Sequence, residues 1–468
     1  MTTSADEPRT PGRPFGRDYR TGAAVEPVPA RVRQRVQRQV DELAQRRTDH
    51  GLRRRLNTAV QERWSIRHDT RLDVIVKDDG LETMVVAGEI LVTASSWQDR
   101  GVRTYVLRRG LVEADLGCTD LESRLVRLVS SKPTTTEHLE DTVSELRARG
   151  FAASLTHIAP LGPIVKPFSG VAVPTIGDFH SYATFATGDG DGARVAIIDT
   201  GIDGALRGDG WLTGIPRITQ DEPATHAVDT NVDPLDADPL DGFLDFSAGH
   251  GTFVSGIIAQ VAPTADITMY RALGTGGTGS EIDVACAIVR AVRDGAQVVN
   301  LSLGTQTQYN QPSLAINAAL EVVREIELER GEDVLIVAAA GNFGDTTPTW
   351  PAAFRRVVSV GALTADLRPS SFSSRGWWVD CSAIGEGVLS TYVQGEQSPD
   401  FTEDPESFPA DAFSRWSGTS FAAPQVAGAV ARLMQEHKLS ARQAYVRLLA
   451  TGRPMPDFGQ TFDILPGV

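Results

Sequence analysis

Asp199, His250 and Ser420 stand where polar side chains can do chemistry. Asp199 follows the apolar run 195–198 in VAIIDTGID, so its carboxylate emerges at the carboxyl end of a buried strand, with Thr200 and Gly201 making the turn. His250 lies between Gly249 and Gly251 at the head of an apolar helical run, AGHGTFVSGIIA. Ser420 follows Gly418 and Thr419 and precedes a small-residue helix in WSGTSFAAPQVAGAVARLM. Taken singly, each is an ordinary turn or cap residue. Together they supply a hydroxyl, an imidazole to take its proton and a carboxylate to hold that imidazole in one tautomer, which are the parts of nucleophilic acyl transfer. Asn342, after another buried run in VAAAGNFG, carries an amide that could donate to a developing oxyanion. The backbone N–H of Ser420, at a helix start where donors are unpaired, is the natural second donor.

The elements that must position these residues follow from the apolar pattern. After Gly192, short and nearly continuous apolar runs at 194–198, 267–270, 298–301, 334–338 and 357–361 alternate with helical stretches at 251–261, 281–293, 313–330 and 419–436. That alternation predicts a doubly wound α/β domain with a mostly parallel sheet over 193–468, and ligands in such sheets bind beyond the carboxyl ends of the strands. Upstream, the composition predicts a flexible tail over 1–30 and an Arg-rich amphipathic helical segment over 31–70. A small α+β module follows over 71–160, then a Pro- and Gly-rich linker over 161–192. Within the module, strands are expected at 72–76, 84–93, 102–107 and 151–157, and helices at 121–129 and 137–149.

Charge narrows the choice of partners. The 468 residues carry 45 Lys and Arg against 60 Asp and Glu, a formal −15, so neither nucleic acid nor a membrane surface is expected as a partner. The exception is local: 31–67 holds eleven Arg against four acids, a +7 segment expected to dock on, or be solvated beside, the acidic remainder. The first residues lack the apolar core of a secretory signal and no run reaches the length of a membrane span, so a cytoplasmic location is expected. Cys118, Cys286 and Cys381 are odd in number and widely spaced, which argues against a disulfide framework; Cys286 and Cys381 read as small buried hydrophobes. Asp229, Asp233, Asp236, Asp238, Asp241 and Asp245 crowd before His250, either as a solvated acidic loop, as a docking face for the Arg-rich helices or as a calcium site, although EF-hand spacing is absent.

In order along the chain, VAIIDTGID, GHGTFVSGIIA, NLSLG, AAAGNFG, SFSSRG and SGTSFAAPQVAG resemble the motif set of the subtilisin-like serine peptidases, over roughly residues 190–452. The order Asp, His, Ser is also that family's. The resemblance implies a seven-stranded, largely parallel sheet and endopeptidase activity through an acyl-enzyme. Ser420 would be the nucleophile, His250 the general base and then acid, Asp199 the buried orienter and Asn342 the oxyanion donor. It further implies that a protein or peptide substrate is gripped as an added strand between 271–279 and Leu301, Ser302, Leu303 and Gly304. Ala339, Ala340 and Gly341 would then line the first specificity pocket and Phe343 its rim, favouring apolar or aromatic residues before the cleaved bond. No cofactor is implied for the chemistry, and structural calcium occurs in many relatives. Phe253, Gln425 and Ile384 depart from the usual motifs outside the triad. Family members usually carry an inhibitory prodomain, which makes the N-terminal region a candidate restraint. The rival for that region is a stable recognition domain. Rivals for the activity are a peptide ligase on the same fold and a catalytically silent peptide-binding regulator.

Overall fold

The computed structural model describes residues 29–45, 50–76, 82–160, 192–219, 230–237, 239–400, 402, 404–465 and 467–468. Nearly all of the expected tail and of the expected linker lies outside the described residues; Ala30, at the tail's end, already begins a helix.

The N-terminal region begins with helices α1 (Ala30–Gln45) and α2 (His50–Arg67). Strands β1 (Leu72–Val76) and β2 (Glu82–Thr93) follow, then short helix α3 (Ala94–Gln98) and α4 (Arg100–Arg108). Strands β3 (Leu111–Ala114) and β4 (Leu125–Ser130), helix α5 (Thr136–Ala148) and strand β5 (Ala153–Pro160) complete it. The strands form one antiparallel sheet with order β5-β2-β4-β3 and β1 on β2. Two expectations fail here. The segment 102–107 is helical because Val102 and Val106, four apart, both enter the core, and Asp99 caps the helix by accepting the Val102 N–H at 3.0 Å. The segment 121–129 is a turn followed by β4, since β2 and β3 supply backbone partners on both its edges.

The larger sheet contains β6 (Arg194–Asp199), β7 (Asp266–Arg271), β9 (Val298–Leu301), β10 (Leu335–Ala339), β11 (Val357–Leu363), β12 (Cys381–Ile384), β14 (Arg453–Met455) and β15 (Gly459–Phe462). Its order is β7-β6-β9-β10-β11-β12-β15-β14, with seven strands parallel and β14 antiparallel at the edge. Alternate residues of β6 face opposite layers. Val195 and Ile197 join the core beneath α6 (His250–Val261) and α9 (Ala423–His437), while Ala196 and Ile198 join the core beneath α7 (Glu281–Arg293) and α8 (Leu314–Arg330). A final helix, α10 (Ala441–Leu449), packs on α9. Two further strands matter below: β8 (Thr278–Ser280) leads into α7 through a Ser280–Asp283 capping box, and β13 (Phe413–Trp416) leads toward Ser420.

The two regions are held together in three places. Strand β5 pairs antiparallel with β8, so the N-terminal sheet continues into the larger domain. Its opposite face packs Leu91, Leu121 and Leu125 with residues of α7 and α8, and Arg124 pairs with Glu321 at 3.2 Å and Glu325 at 2.5 Å. Helix α1 sits elsewhere, burying Val32, Val36, Val40 and Leu43 in the core that also holds Trp416 and Phe421. Arg35 of α1 pairs with Asp404 at 2.7 Å and with Glu406, so this Arg of the basic segment meets acids outside the 229–245 stretch. The cysteines correct the sequence reading: Cys118, after β3, is joined in a disulfide to Cys286 on α7, while Cys381 is free and buried in β12.

Candidate active site

Asp199 ends β6 at the sheet's carboxyl edge, where its Oδ1 accepts the Thr200 N–H at 2.8 Å. His250 opens α6, and its Nδ1 lies 2.7 Å from the same Oδ1, with both side chains fully buried. An ionised carboxylate at that distance fixes the proton on Nδ1 and leaves Nε2 as the free base. Two glycines make the approach possible. Gly249 turns with φ of +77°, and a Cβ on Gly251 would stand 2.1 Å from the Gly201 carbonyl oxygen.

Asp233 ties the two turns together. Its Oδ2 accepts Thr200 Oγ1 at 2.9 Å and the Gly249 N–H at 3.0 Å, and the Gly251 N–H donates to Thr200 Oγ1 at 3.1 Å. Burial pushes the Asp233 carboxyl up, against the lowering pull of the Gly249 and Thr200 donors. In the sequence Asp233 is one aspartate among several in the acidic stretch, and nothing in its spacing marks it out. Other carboxylates of that stretch serve the main chain. Asp236 accepts from Asp241 and Gly242, Asp241 from Phe243 and Asp245 from Ala237, at 2.8–3.0 Å. Among the described residues no group of three or more His, Cys, Asp or Glu is arranged to hold a metal; Asp229 and Asp238 lie outside them.

Ser420 sits in a single turn of 3-10 helix (Thr419–Phe421) immediately before α9. Its Oγ donates to the Ser302 carbonyl at 3.1 Å, and Ser302 Oγ donates back to the Ser420 carbonyl at 2.8 Å. Asn300 Nδ2, in turn, donates to Ser302 Oγ at 3.0 Å. Among the described residues no hydrogen bond joins Ser420 to His250 in this resting arrangement. The neighbouring Phe421 nevertheless packs on the imidazole, with ring centroids 5.3 Å apart, and Trp416 meets it edge-on at 5.5 Å. Phe253, one of the departures from the usual motif, completes this aromatic wall at 4.7 Å from Phe421. Gln425, another departure, holds the Phe421 and Ile384 carbonyls at 2.8 and 2.6 Å, tying the Ser420 turn to the end of β12.

Asn342 follows β10, and its Oδ1 accepts both the backbone N–H and the hydroxyl of Thr419, at 2.9 and 2.8 Å. With its oxygen so engaged, the amide is oriented and its NH2 side is the one offered to another acceptor. Thr419 Oγ1 also receives the Gly341 N–H at 3.1 Å. Of the expected substrate-binding residues, Leu301, Leu303, Ala339 and Ala340 are buried in the two cores. Phe343 is half-buried, with its ring against Gly341. Between β8 and 301–304, where an added strand is expected, lies the end of β5: Ala159 is opposite Gly279, and the Gly304 N–H donates to the Pro160 carbonyl at 3.2 Å.

The model of the subtilase family (peptidase S8) matches residues 190–452. A thermophilic serine proteinase of Bacillus sp. (strain AK1) is 32% identical over 278 residues, covering 57% of this chain and 58% of that protein, so the chain spans little more than half the length of this relative. Subtilisin Savinase of Lederbergia lenta is 32% identical over 257 residues, 53% of this chain and 78% of that protein. Among solved structures, fervidolysin from Fervidobacterium pennivorans, described as a keratinolytic enzyme related to subtilisin, shares the fold with a TM-score of 0.52. It is 21% identical and covers 81% of this chain and 60% of its own. With the family model matching more than half its length, across the segment that carries Asp199, His250, Asn342 and Ser420, this chain belongs to the subtilase family.

Proposed function

We propose that the protein is a serine endopeptidase that hydrolyses peptide bonds of protein or peptide substrates through an acyl-enzyme on Ser420. The observation that carries this reading is the buried 2.7 Å Asp199–His250 pair, packed against the turn that bears Ser420. Ser420 Oγ leaves the Ser302 carbonyl, passes its proton to His250 Nε2 and attacks the substrate carbonyl; His250 then returns that proton to the departing amine. Asp199 keeps Nδ1 protonated and stabilises the transient imidazolium. The Asn342 NH2 and the Ser420 N–H receive the oxyanion, and both are fixed before substrate arrives, so little reorganisation opposes them. An apolar or aromatic side chain before the cleaved bond would lie against Phe343. Nothing in the described site calls for a metal in these steps, and calcium, which is common in the family, would act only on stability.

The N-terminal region restrains this activity by occupying the cleft. Strand β5 uses the edge of β8 and the Gly304 N–H, the main-chain groups an incoming substrate strand would need. Beside it, Glu281 accepts both the backbone N–H and Nδ1 of His157, at 2.8 and 3.0 Å, which pins the strand's register. The test is N-terminal sequencing and peptide hydrolysis during incubation of the purified chain. Cleavage within about 158–192, absent in Ser420→Ala and followed by rising hydrolysis when a dithiol is present, is the expected result. A chain that is not cleaved on incubation, and that stays unreactive toward a fluorophosphonate probe after its connector has been cut by another protease and its disulfide reduced, overturns it.

A further inference from the structure

The disulfide lies at the boundary between the N-terminal module and the protease domain. Cys118 belongs to the turn between β3 and β4, Cys286 to the second turn of α7; their Cα atoms are 6.0 Å apart and both residues are 8% exposed. The surrounding contacts hold the two backbones in place. Leu116, Leu121 and Leu125 share a core with Ala285, Val289 and Val292, and Asp120 pairs with Arg293 at 2.7 Å. The loop closed by the bridge spans 168 positions and includes the whole connector between Pro160 and Gly192. A cut anywhere in that connector therefore leaves two pieces that are still covalently one molecule.

We propose that Cys118 and Cys286 form a redox-addressed latch that retains the N-terminal module on the protease domain after the connector is hydrolysed, so that release requires reduction as well as cleavage; this rests on the reading of the module as the restraint. While the bridge is closed, β5 faces the cleft at an effective concentration set by the tether rather than by dilution, and it rebinds after every local opening. Opening is thiol–disulfide exchange. A reducing dithiol attacks one sulfur as its thiolate, the other cysteine leaves as thiolate and takes up a proton, and the reductant's second thiol resolves the mixed disulfide. Two electrons and two protons thus pass to the cysteines, and the reductant ends as its own disulfide. A low-molecular-weight disulfide runs the same exchange backwards to close the latch. The low exposure of both residues makes exchange depend on local opening of the Cys118 turn.

The decisive experiment uses the full chain carrying Ser420→Ala, with a recognition sequence for a site-specific protease inserted at Gly190. After cutting, size exclusion in native buffer and denaturing electrophoresis are run with and without a dithiol. The expected result is one species without reductant in both measurements and two species with it. Cys118→Ser releases the module on cutting alone, and Cys286→Ala does the same if the first variant folds poorly. Two results overturn the proposal: pieces that part under non-reducing denaturing conditions, or a reduced module that stays bound at nanomolar dilution. Peptide hydrolysis by the Ser420 parent is read in parallel. Its absence from every cut and reduced sample refutes the protease reading, while the gel and the column still decide whether the latch exists.

Discussion

Two glutamines of α1, two residues apart, carry the same functional group into opposite environments. Gln37 is exposed and donates to Asp41 at 2.9 Å, whereas Gln39 is 4% exposed and bridges to the protease domain. Gln39 Oε1 accepts Ser417 Oγ at 2.8 Å, and Nε2 donates to the Arg415 carbonyl at 3.3 Å. Ser417 Oγ also receives the Gly387 N–H at 3.0 Å, so its own proton has Gln39 as acceptor. Gln39→Ala strands that hydroxyl proton and removes a donor from a carbonyl, each at about 1–3 kcal/mol for a buried group. Ala returns a few tenths of a kcal/mol in helix propensity. The net expectation is a loss of about 2–5 kcal/mol, or on the order of 4–20 °C in Tm for a domain of this size. Gln37→Ala exchanges an exposed bond for water and should stay within about 0.5 kcal/mol of the parent. Both variants are to be unfolded by heat and by urea in the Ser420→Ala background, where self-cleavage cannot confuse the signal. Equal stability of the two would refute the claim that α1 is an integral part of the protease domain's packing.

Asn342→Ala should lower kcat by about 10²–10³ with little change in KM, the usual effect of losing one oxyanion donor; a change below about fivefold in steady-state peptide hydrolysis would remove Asn342 from that role. Gly251→Ala should abolish most activity while circular dichroism stays close to the parent's, since the new methyl meets the Gly201 carbonyl at 2.1 Å and must displace His250 from Asp199. Glu281 makes the docking of β5 sensitive to acid. Burial alone would raise its carboxyl, but the His157 side chain and N–H, with the Ser313 hydroxyl, outweigh it and hold the group below the usual range. Its native form therefore binds a proton less tightly than the unfolded form. That contribution to stability is present above the ordinary Glu pKa of about 4.3 and is lost as pH falls through the depressed value. The midpoint of thermal unfolding should accordingly drop below about pH 4, and Glu281→Gln should flatten that limb.

Sequence legibility followed the range of the interactions involved. The helix at 281–293 and the strand at 298–301 were readable because caps and apolar runs are local, and both are found at those bounds. The four polar residues proposed for the site stood out as a set, each at the edge of an apolar run, Asp199 and Asn342 after a strand and His250 and Ser420 at the head of a helix. What escaped depended on distant partners. Asp233 acts through Thr200 and Gly249, and Gln39 reaches residues almost 380 positions away. The pairing of Cys118 with Cys286 is set by how one module packs on another, which spacing alone does not encode. Helix and strand were exchanged at 102–107 for a related reason, since a run with β-branched residues at both period 2 and period 4 is decided by its neighbours.

The shared sheet has a consequence for how the chain comes to be made. An enzyme that binds substrate by strand addition must keep an open edge, and an open edge pairs as readily with another unfolded chain as with a substrate. In this chain β5 precedes β8, so at synthesis the guard strand already exists when the edge it covers emerges. Order along the polypeptide thus shields the β8 edge of a crowded nascent chain from its neighbours, and the hazard would return only if β5 left that edge.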